Sequence, residues 1–156
     1  MNPCPCGYYR DTVKECTCRP YQIMQYQKKL SGPVLDRLDL VVEVARQNPQ
    51  KYLEKPSATS TQIRTSIIAA RQIQAQRFNQ SSQKVNSEMT SAQLKKYCVL
   101  TPELQTFFNE AAEKFNFSGR NYHLPLKVAR TIADLDSQAQ LQFPHLSEAL
   151  QYRQKW

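Results

Sequence analysis

Apolar positions in this chain recur at helical spacing from about residue 20 onward. Residues 1–20 carry few apolar side chains, so this segment has no core of its own and something else must pin it. Behind Pro20, a good first-turn residue, Ile23, Tyr26 and Leu30 fall three or four positions apart, and Ser31, Gly32 and Pro33 stop the pattern. One short helix is predicted over 21–30, followed by a helical turn over 34–37. Residues 38–44 alternate with β-branched side chains in the manner of a strand. No second strand is evident in the sequence, and an unpaired strand leaves its N–H and C=O groups without partners. The pattern therefore points to a piece cut from a larger sheet.

Residues 45–60 turn to Gln, Asn, Pro, Lys and Ser, which reads as a linker. Beyond it every periodic stretch is helical. The predicted helices cover 61–78, with Ile63, Ile67 and Ala70 on one face; 91–97; and 102–115, with Leu104, Phe107, Phe108 and Ala111. They continue with 118–135, capped by Ser118 and carrying a buried stripe of Leu124, Val128, Ile132 and Leu135, and with 145–153 after Pro144. Pro125 falls inside the fourth of these and should kink it. Four or five helices joined by short polar turns close a core without a sheet. The expected fold is mainly α: an α/β remnant with one strand, short helices and a cysteine-rich loop in 1–46, a linker in 47–60, and a helical bundle in 61–156.

A chain of 156 residues suits one ordinary domain or two small ones. Lys and Arg outnumber Asp and Glu by 21 to 13, and the resulting net charge of +8 favours polyanionic partners such as DNA, RNA or nucleotide. Residues 57–87 contain Arg64, Arg71, Arg77 and Lys84 and no acidic residue, which makes them the candidate basic face. The amino terminus is not a signal peptide, and the apolar run at 38–44 includes Asp39 and Glu43 and is too short to span a bilayer. A cytoplasmic location without membrane contact is expected. In that reducing compartment clustered cysteines are more often metal ligands than disulfides.

Cys4 and Cys6 are separated by one residue, as are Cys16 and Cys18, with nine residues between the pairs. Four thiolates in two close pairs suit a tetrahedral zinc ion, which would stabilise a segment with too little hydrophobic burial. The spacer is tighter than the usual two to about four residues. A reduced or partly oxidised loop and a redox role are the alternatives. Cys98 stands alone on a helical segment and reads as a small core residue.

Residues 31–40, Ser-Gly-Pro-Val-Leu-Asp-Arg-Leu-Asp-Leu, resemble the segment of magnesium-chelatase-like and MCM-like AAA+ ATPases that ends in leucine-x-arginine-hydrophobe-aspartate. In those families the arginine is the finger offered to ATP on the neighbouring subunit, and the resemblance places that role on Arg37. A planar guanidinium gives directed donors to phosphate oxygens and stays charged, and such a finger is worth roughly a thousandfold or more in rate. From the residues alone, Arg37 pairing with Asp36 or Asp39 on a surface turn is the alternative. Residues 2–8, Asn-Pro-Cys-Pro-Cys-Gly-Tyr, resemble the family's sensor-1 strand end and its cysteine-bearing insertion, which implies that Asn2 orients the attacking water.

Residues 118–123 and 126–135 resemble the lid helix of the ComM/YifB group, whose sensor-2 arginine lies near the start of that helix. Arg120 is the first candidate to contact the nucleotide and Arg130 the second. An arginine in the first turn can reach a phosphate held at the helix amino terminus. Arg130 lies about ten residues further along, about 15 Å at helical rise, and its alternative is an i,i+4 pair with Asp134. Residues 145–153 resemble the closing helix, so the resemblance covers nearly the whole chain.

No glycine-rich loop ending in Lys-Ser or Lys-Thr is present, and no acidic pair follows a hydrophobic strand as a magnesium-holding motif requires. In the family those elements lie upstream. The resemblance thus implies a C-terminal part of a longer ATPase, beginning at an internal methionine and inactive alone. ATP and Mg would belong to the full-length protein, a homo-oligomer, hexameric in this family, with Arg37 acting in trans, Arg120 in cis and Asn2 at the water. It also implies DNA as a partner, because ComM-like members are associated with branch migration and natural transformation. Two further readings stand beside it. One is a free-standing zinc-stabilised nucleic-acid-binding module using Arg64, Arg71 and Lys84 on phosphates. The other is a metal-chelatase subunit driving insertion into a porphyrin, against which the cysteine-bearing insertion argues.

Overall fold

The computed structural model describes residues 2–29, 34, 37–44, 50, 54–119 and 121–153, and the chain divides into two compact units. The first comprises Met1–Leu38 and Val42–Lys55, the second Asp39–Val41 and Pro56–Trp156. The described residues form six α-helices and no strand.

In the first unit, residues 2–19 run as turns and irregular chain into α1, Pro20–Gln27. Pro20 opens the helix, where its missing N–H is harmless, and the Arg19 N–H donates to the Gln22 side chain at 2.9 Å. No residue of α1 is fully buried, so apolar burial is not what orders this unit. Leu30, the last member of the predicted apolar stripe, lies outside the described residues. The turn expected at 34–37 closes with the Arg37 N–H donating to the Val34 carbonyl at 3.0 Å.

The strand expected at 38–44 is not formed. Those residues are irregular chain, with Leu40 52% and Val44 81% exposed. β-Branched alternation specifies a surface that fits a sheet, but it does not supply the ladder that satisfies the backbone.

The second unit is a helical bundle. Its helices are α2 (Ser60–Arg77), α3 (Ser91–Tyr97), α4 (Pro102–Lys114), α5 (Leu124–Leu135) and α6 (Phe143–Gln151), with a 3₁₀ turn at Asn86–Glu88. Thr59, Thr90 and Thr101 cap α2, α3 and α4 by accepting from the N–H groups of Gln62, Gln93 and Leu104, so each start is written locally. α5 is the central element and packs against α2, α3, α6 and the 3₁₀ turn. Ala129, Ala133 and Ala149 are fully buried and small enough to let α5 and α6 approach closely, while Phe78, Phe108 and Leu146 fill the space around them.

Four expectations for the bundle are corrected. Ser118 does not start α5: its carbonyl accepts from the Tyr122 N–H at 3.0 Å and its hydroxyl from the Asn121 N–H at 3.4 Å, forming a turn before a helix that begins at Leu124. Pro125 consequently sits in the first turn, where it removes no intrahelical bond, and does not kink the helix. The buried stripe is displaced to Leu126, Ala129, Arg130, Ala133 and Asp134, leaving Val128 and Ile132 half-buried and Leu135 44% exposed. On α2, only Ala70 of the expected apolar face is buried, while Ile63 and Ile67 are about half exposed. The helix packs through Ala70 and Gln74 in its carboxy-terminal half and through its C-cap Phe78, spaced four apart.

Candidate functional site

Residues 2–18 wrap around four thiols. The Sγ atoms of Cys4, Cys6, Cys16 and Cys18 all lie within 4.8 Å of one another, and none is in a disulfide. Cys4 to Cys6 is 3.3 Å, Cys4 to Cys16 3.7 Å and Cys6 to Cys16 3.6 Å. A tetrahedral ion with Zn–S bonds of about 2.3 Å sets its sulfurs about 3.8 Å apart, so the chain already holds the donors near coordination spacing. The backbone is bent to do this. The Gly7 N–H donates to the Cys4 carbonyl at 3.0 Å with Gly7 at φ +85°, a conformation that favours glycine, and the Tyr9 N–H donates to Cys4 Sγ at 3.3 Å. Cys4 is fully buried while its three partners are half-buried.

The thiols are electrostatically unequal. The Tyr8 N–H donating to its sulfur, together with the Cys4 thiol, holds Cys6 down at about 5. At Cys16 the Cys18 N–H pulls downward, but burial and the neighbouring thiols Cys6 and Cys4 prevail and push it up to about 12. Cys18 is raised as well: the Cys6 backbone lowers it, while burial and the Cys6 and Cys4 thiols outweigh that. The set suits a cation that replaces protons on clustered thiols.

Asn2 is exposed at the edge of this loop, and its carboxamide lies over Gly7: a β-carbon placed on Gly7 would stand 3.5 Å from Asn2 Nδ2. Gln27 on α1 donates to the Pro3 carbonyl at 3.2 Å, tying the residue next to Asn2 to the helix. Arg37 is exposed on its turn. Arg120 and Asp36 lie outside the described residues.

Arg130 is 2% exposed. Its Nε donates to Asp134 at 3.1 Å, the i,i+4 pair that the sequence offered as its alternative role, and its other nitrogens donate to the carbonyls of Ala139, at 2.8 Å, and Gln138. A guanidinium so engaged clasps the end of its own helix, a place far from the exposed position a phosphate contact needs. Asp134 also takes both nitrogens of Arg77, at 2.6 and 2.5 Å, and Asn86 Nδ2 at 2.8 Å. Asn86 in turn accepts from Arg77 at 2.7 Å and donates to Thr131 at 3.1 Å. Arg77 is therefore a half-buried tie between α2 and α5 rather than part of a basic face, which leaves Arg64, Arg71 and Lys84 exposed. Sequence reading missed this cluster. Its one signal was Asp134, an acid spaced four residues from Arg130 within an apolar stripe. Cys98 is buried, as expected of a small core residue, and burial raises its thiol to about 11.

The described residues thus combine a four-cysteine turn region with a capped helical bundle. The magnesium chelatase subunit ChlI C-terminal family matches residues 57–153, and the magnesium chelatase subunit ChlI family matches residues 1–52. The chain is 41% identical to the Competence protein ComM of Haemophilus influenzae, 36% to the protein YifB of Escherichia coli and 35% to YifB of Salmonella typhimurium, in each case over 98% of this chain and 29% of the relative. The chain belongs to the magnesium chelatase subunit ChlI family, in its ComM/YifB branch. It spans less than a third of the length of the curated relatives it matches. Among the described residues, no helix is long and apolar enough to cross a membrane.

Proposed function

We propose that this chain is the C-terminal part of a ComM-like AAA+ ATPase that processes DNA, and that it supplies residues to a nucleotide site whose phosphate cradle lies elsewhere. Residues 1–46 are the end of the ATPase core, 47–60 a linker and 61–156 the helical lid. The observation that carries the proposal is the pairing of an exposed Arg37, in the finger signature, with a family match that extends over both parts of the chain.

Arg37 reaches the ATP of a neighbouring subunit in a homohexamer. Its fixed charge and forked donors stabilise the negative charge that spreads over the transferred phosphoryl group. Arg120 contacts the nucleotide of its own subunit from just ahead of α5, where the helix dipole favours an anion. Asn2 orients the attacking water. Arg130 is the alternative for the Arg120 role, and its burial against Asp134 supports Arg120 instead. ATP and Mg bind the longer protein, because this chain carries neither a phosphate-gripping loop nor a magnesium-holding acidic pair. The resident ion of the four-cysteine loop is zinc, supported by an all-thiolate donor set near tetrahedral spacing.

The test compares the 156-residue chain with the intact protein. The chain alone is expected to bind ATP weakly and to turn none over, and the intact protein to hydrolyse it faster with DNA present. ATP turnover by the isolated chain contradicts the proposal. A second reading, a free-standing nucleic-acid module, is favoured only by the exposed Arg64, Arg71 and Lys84. It gains if the isolated chain binds DNA with a steep salt dependence that chelation abolishes.

A further inference from the structure

We infer that the four-cysteine site is a positioning device for Asn2: a zinc ion held by Cys4, Cys6, Cys16 and Cys18 fixes the Asn2 carboxamide in place. The inference rests on the role given to Asn2 above and adds a metal dependence to it.

The covalent path from the ion to Asn2 is short and stiff. Cys4 is two residues from Asn2, with Pro3 between them and Pro5 after. The ring of Pro3 fixes its own φ, and both Asn2 and Cys4 precede a proline, which confines each to extended conformations. Few torsions remain between Cys4 Sγ and the Asn2 backbone, so whatever anchors the sulfur anchors the asparagine. Two further contacts lock the remaining freedom. The Gln27 side chain holds the Pro3 carbonyl at 3.2 Å, and the Asn2 carboxamide lies against Gly7, whose N–H is bonded to the Cys4 carbonyl.

The loop has no apolar core to order it. The region from Asn2 to Arg19 contains no helix, and Cys4 is its one fully buried residue. Four thiols are thus the centre of this segment in place of an apolar core, and metal–thiolate bonds are the interaction available to hold them. Deprived of the ion, the clustered sulfurs lose their common partner and the Asn2–Cys4 link loses its fixed end. A side chain that orients a reacting water must be held to within about 0.5 Å by its supporting groups, so loosening this link is expected to reduce turnover without removing substrate affinity.

The test has two arms. In the first, the metal-free 156-residue chain is titrated with Zn(II) while the side-chain amide resonances of Asn2, assigned by their loss in Asn2→Asp, are followed by NMR. They are expected to shift and sharpen, saturating at one equivalent, and Co(II) in its place should give thiolate-to-metal charge-transfer bands and a tetrahedral visible spectrum. Asn2 resonances unmoved by a bound ion overturn the inference. In the second arm, Cys18→Ser in the intact protein is expected to lower kcat about 10- to 100-fold, the range seen when a supporting shell is lost, with KM little changed. A rise in KM at constant kcat overturns the inference. If zinc orders the carboxamide but Asn2→Ala leaves turnover intact, positioning by the ion is upheld and the catalytic role of Asn2 falls.

Discussion

At the scale of single residues, charge and burial decide which side chains are available for chemistry. Cys6, held at about 5 by the Tyr8 N–H, is a thiolate at neutral pH, whereas Cys16 at about 12 and Cys98 at about 11 are thiols. In the metal-free chain at pH 7, alkylation monitored by mass spectrometry should modify Cys6 first and leave Cys16 and Cys98 to last, since the thiolate is the nucleophile. For Cys98 the folded value lies above the ordinary 9.0, so the fold favours the neutral thiol. That contribution is complete below pH 9 and is lost as pH rises through about 11. Between those limits the native chain should lose about 2 kcal/mol more stability than Cys98→Ala, by denaturant unfolding at each pH. The Asp134 carboxylate is a second deciding residue. Removing it in Asp134→Ala leaves Arg130 and Arg77 buried without their anion and should cost about 3–5 kcal/mol in thermal or denaturant unfolding.

At the scale of elements, local signals placed the helices and tertiary packing set their faces. Threonine caps and prolines make the starts of α2, α3 and α4 readable within a residue or two, because the cap satisfies N–H groups that lie beside it in sequence. The start of α5 was misread because Ser118 can cap a turn as well as a helix, and only the position of Pro125 distinguishes the two. A proline within a helix costs about 3 kcal/mol, so Pro125→Ala would stabilise a kinked helix by that order; in the first turn the change should stay below about 1 kcal/mol. The strand at 38–44 was legible as a pattern but not as a structure, since pairing depends on residues outside it. α2 presents Arg64 and Arg71 on its exposed surface. If that face meets DNA, Arg64→Ala with Arg71→Ala should weaken binding equally across sequences and reduce the salt slope by about 0.9 per lost phosphate contact, read from titrations at several salt concentrations.

At the scale of the whole molecule, the chain combines a four-cysteine loop, a turn with an exposed arginine and a helical bundle. The cysteine set was legible from spacing alone, because four thiols in a segment with few apolar residues leave little else to organise it, and the structure brings all four together. The roles proposed for Arg37 and Asn2 rest on the resemblance alone, since an exposed arginine on a turn and an asparagine before a proline have no chemical signature by themselves. Arg130 and Arg77 carried equal charge in the sequence, and the acidic partner that removes both from the surface sits on α5, 57 residues from Arg77. The central claim is that Arg37 completes a nucleotide site that this chain does not build. The most direct measurement is steady-state ATP hydrolysis by the intact protein bearing Arg37→Ala, alongside nucleotide affinity. The account predicts turnover reduced about a thousandfold or more with affinity changed little; turnover equal to that of the native protein would contradict it.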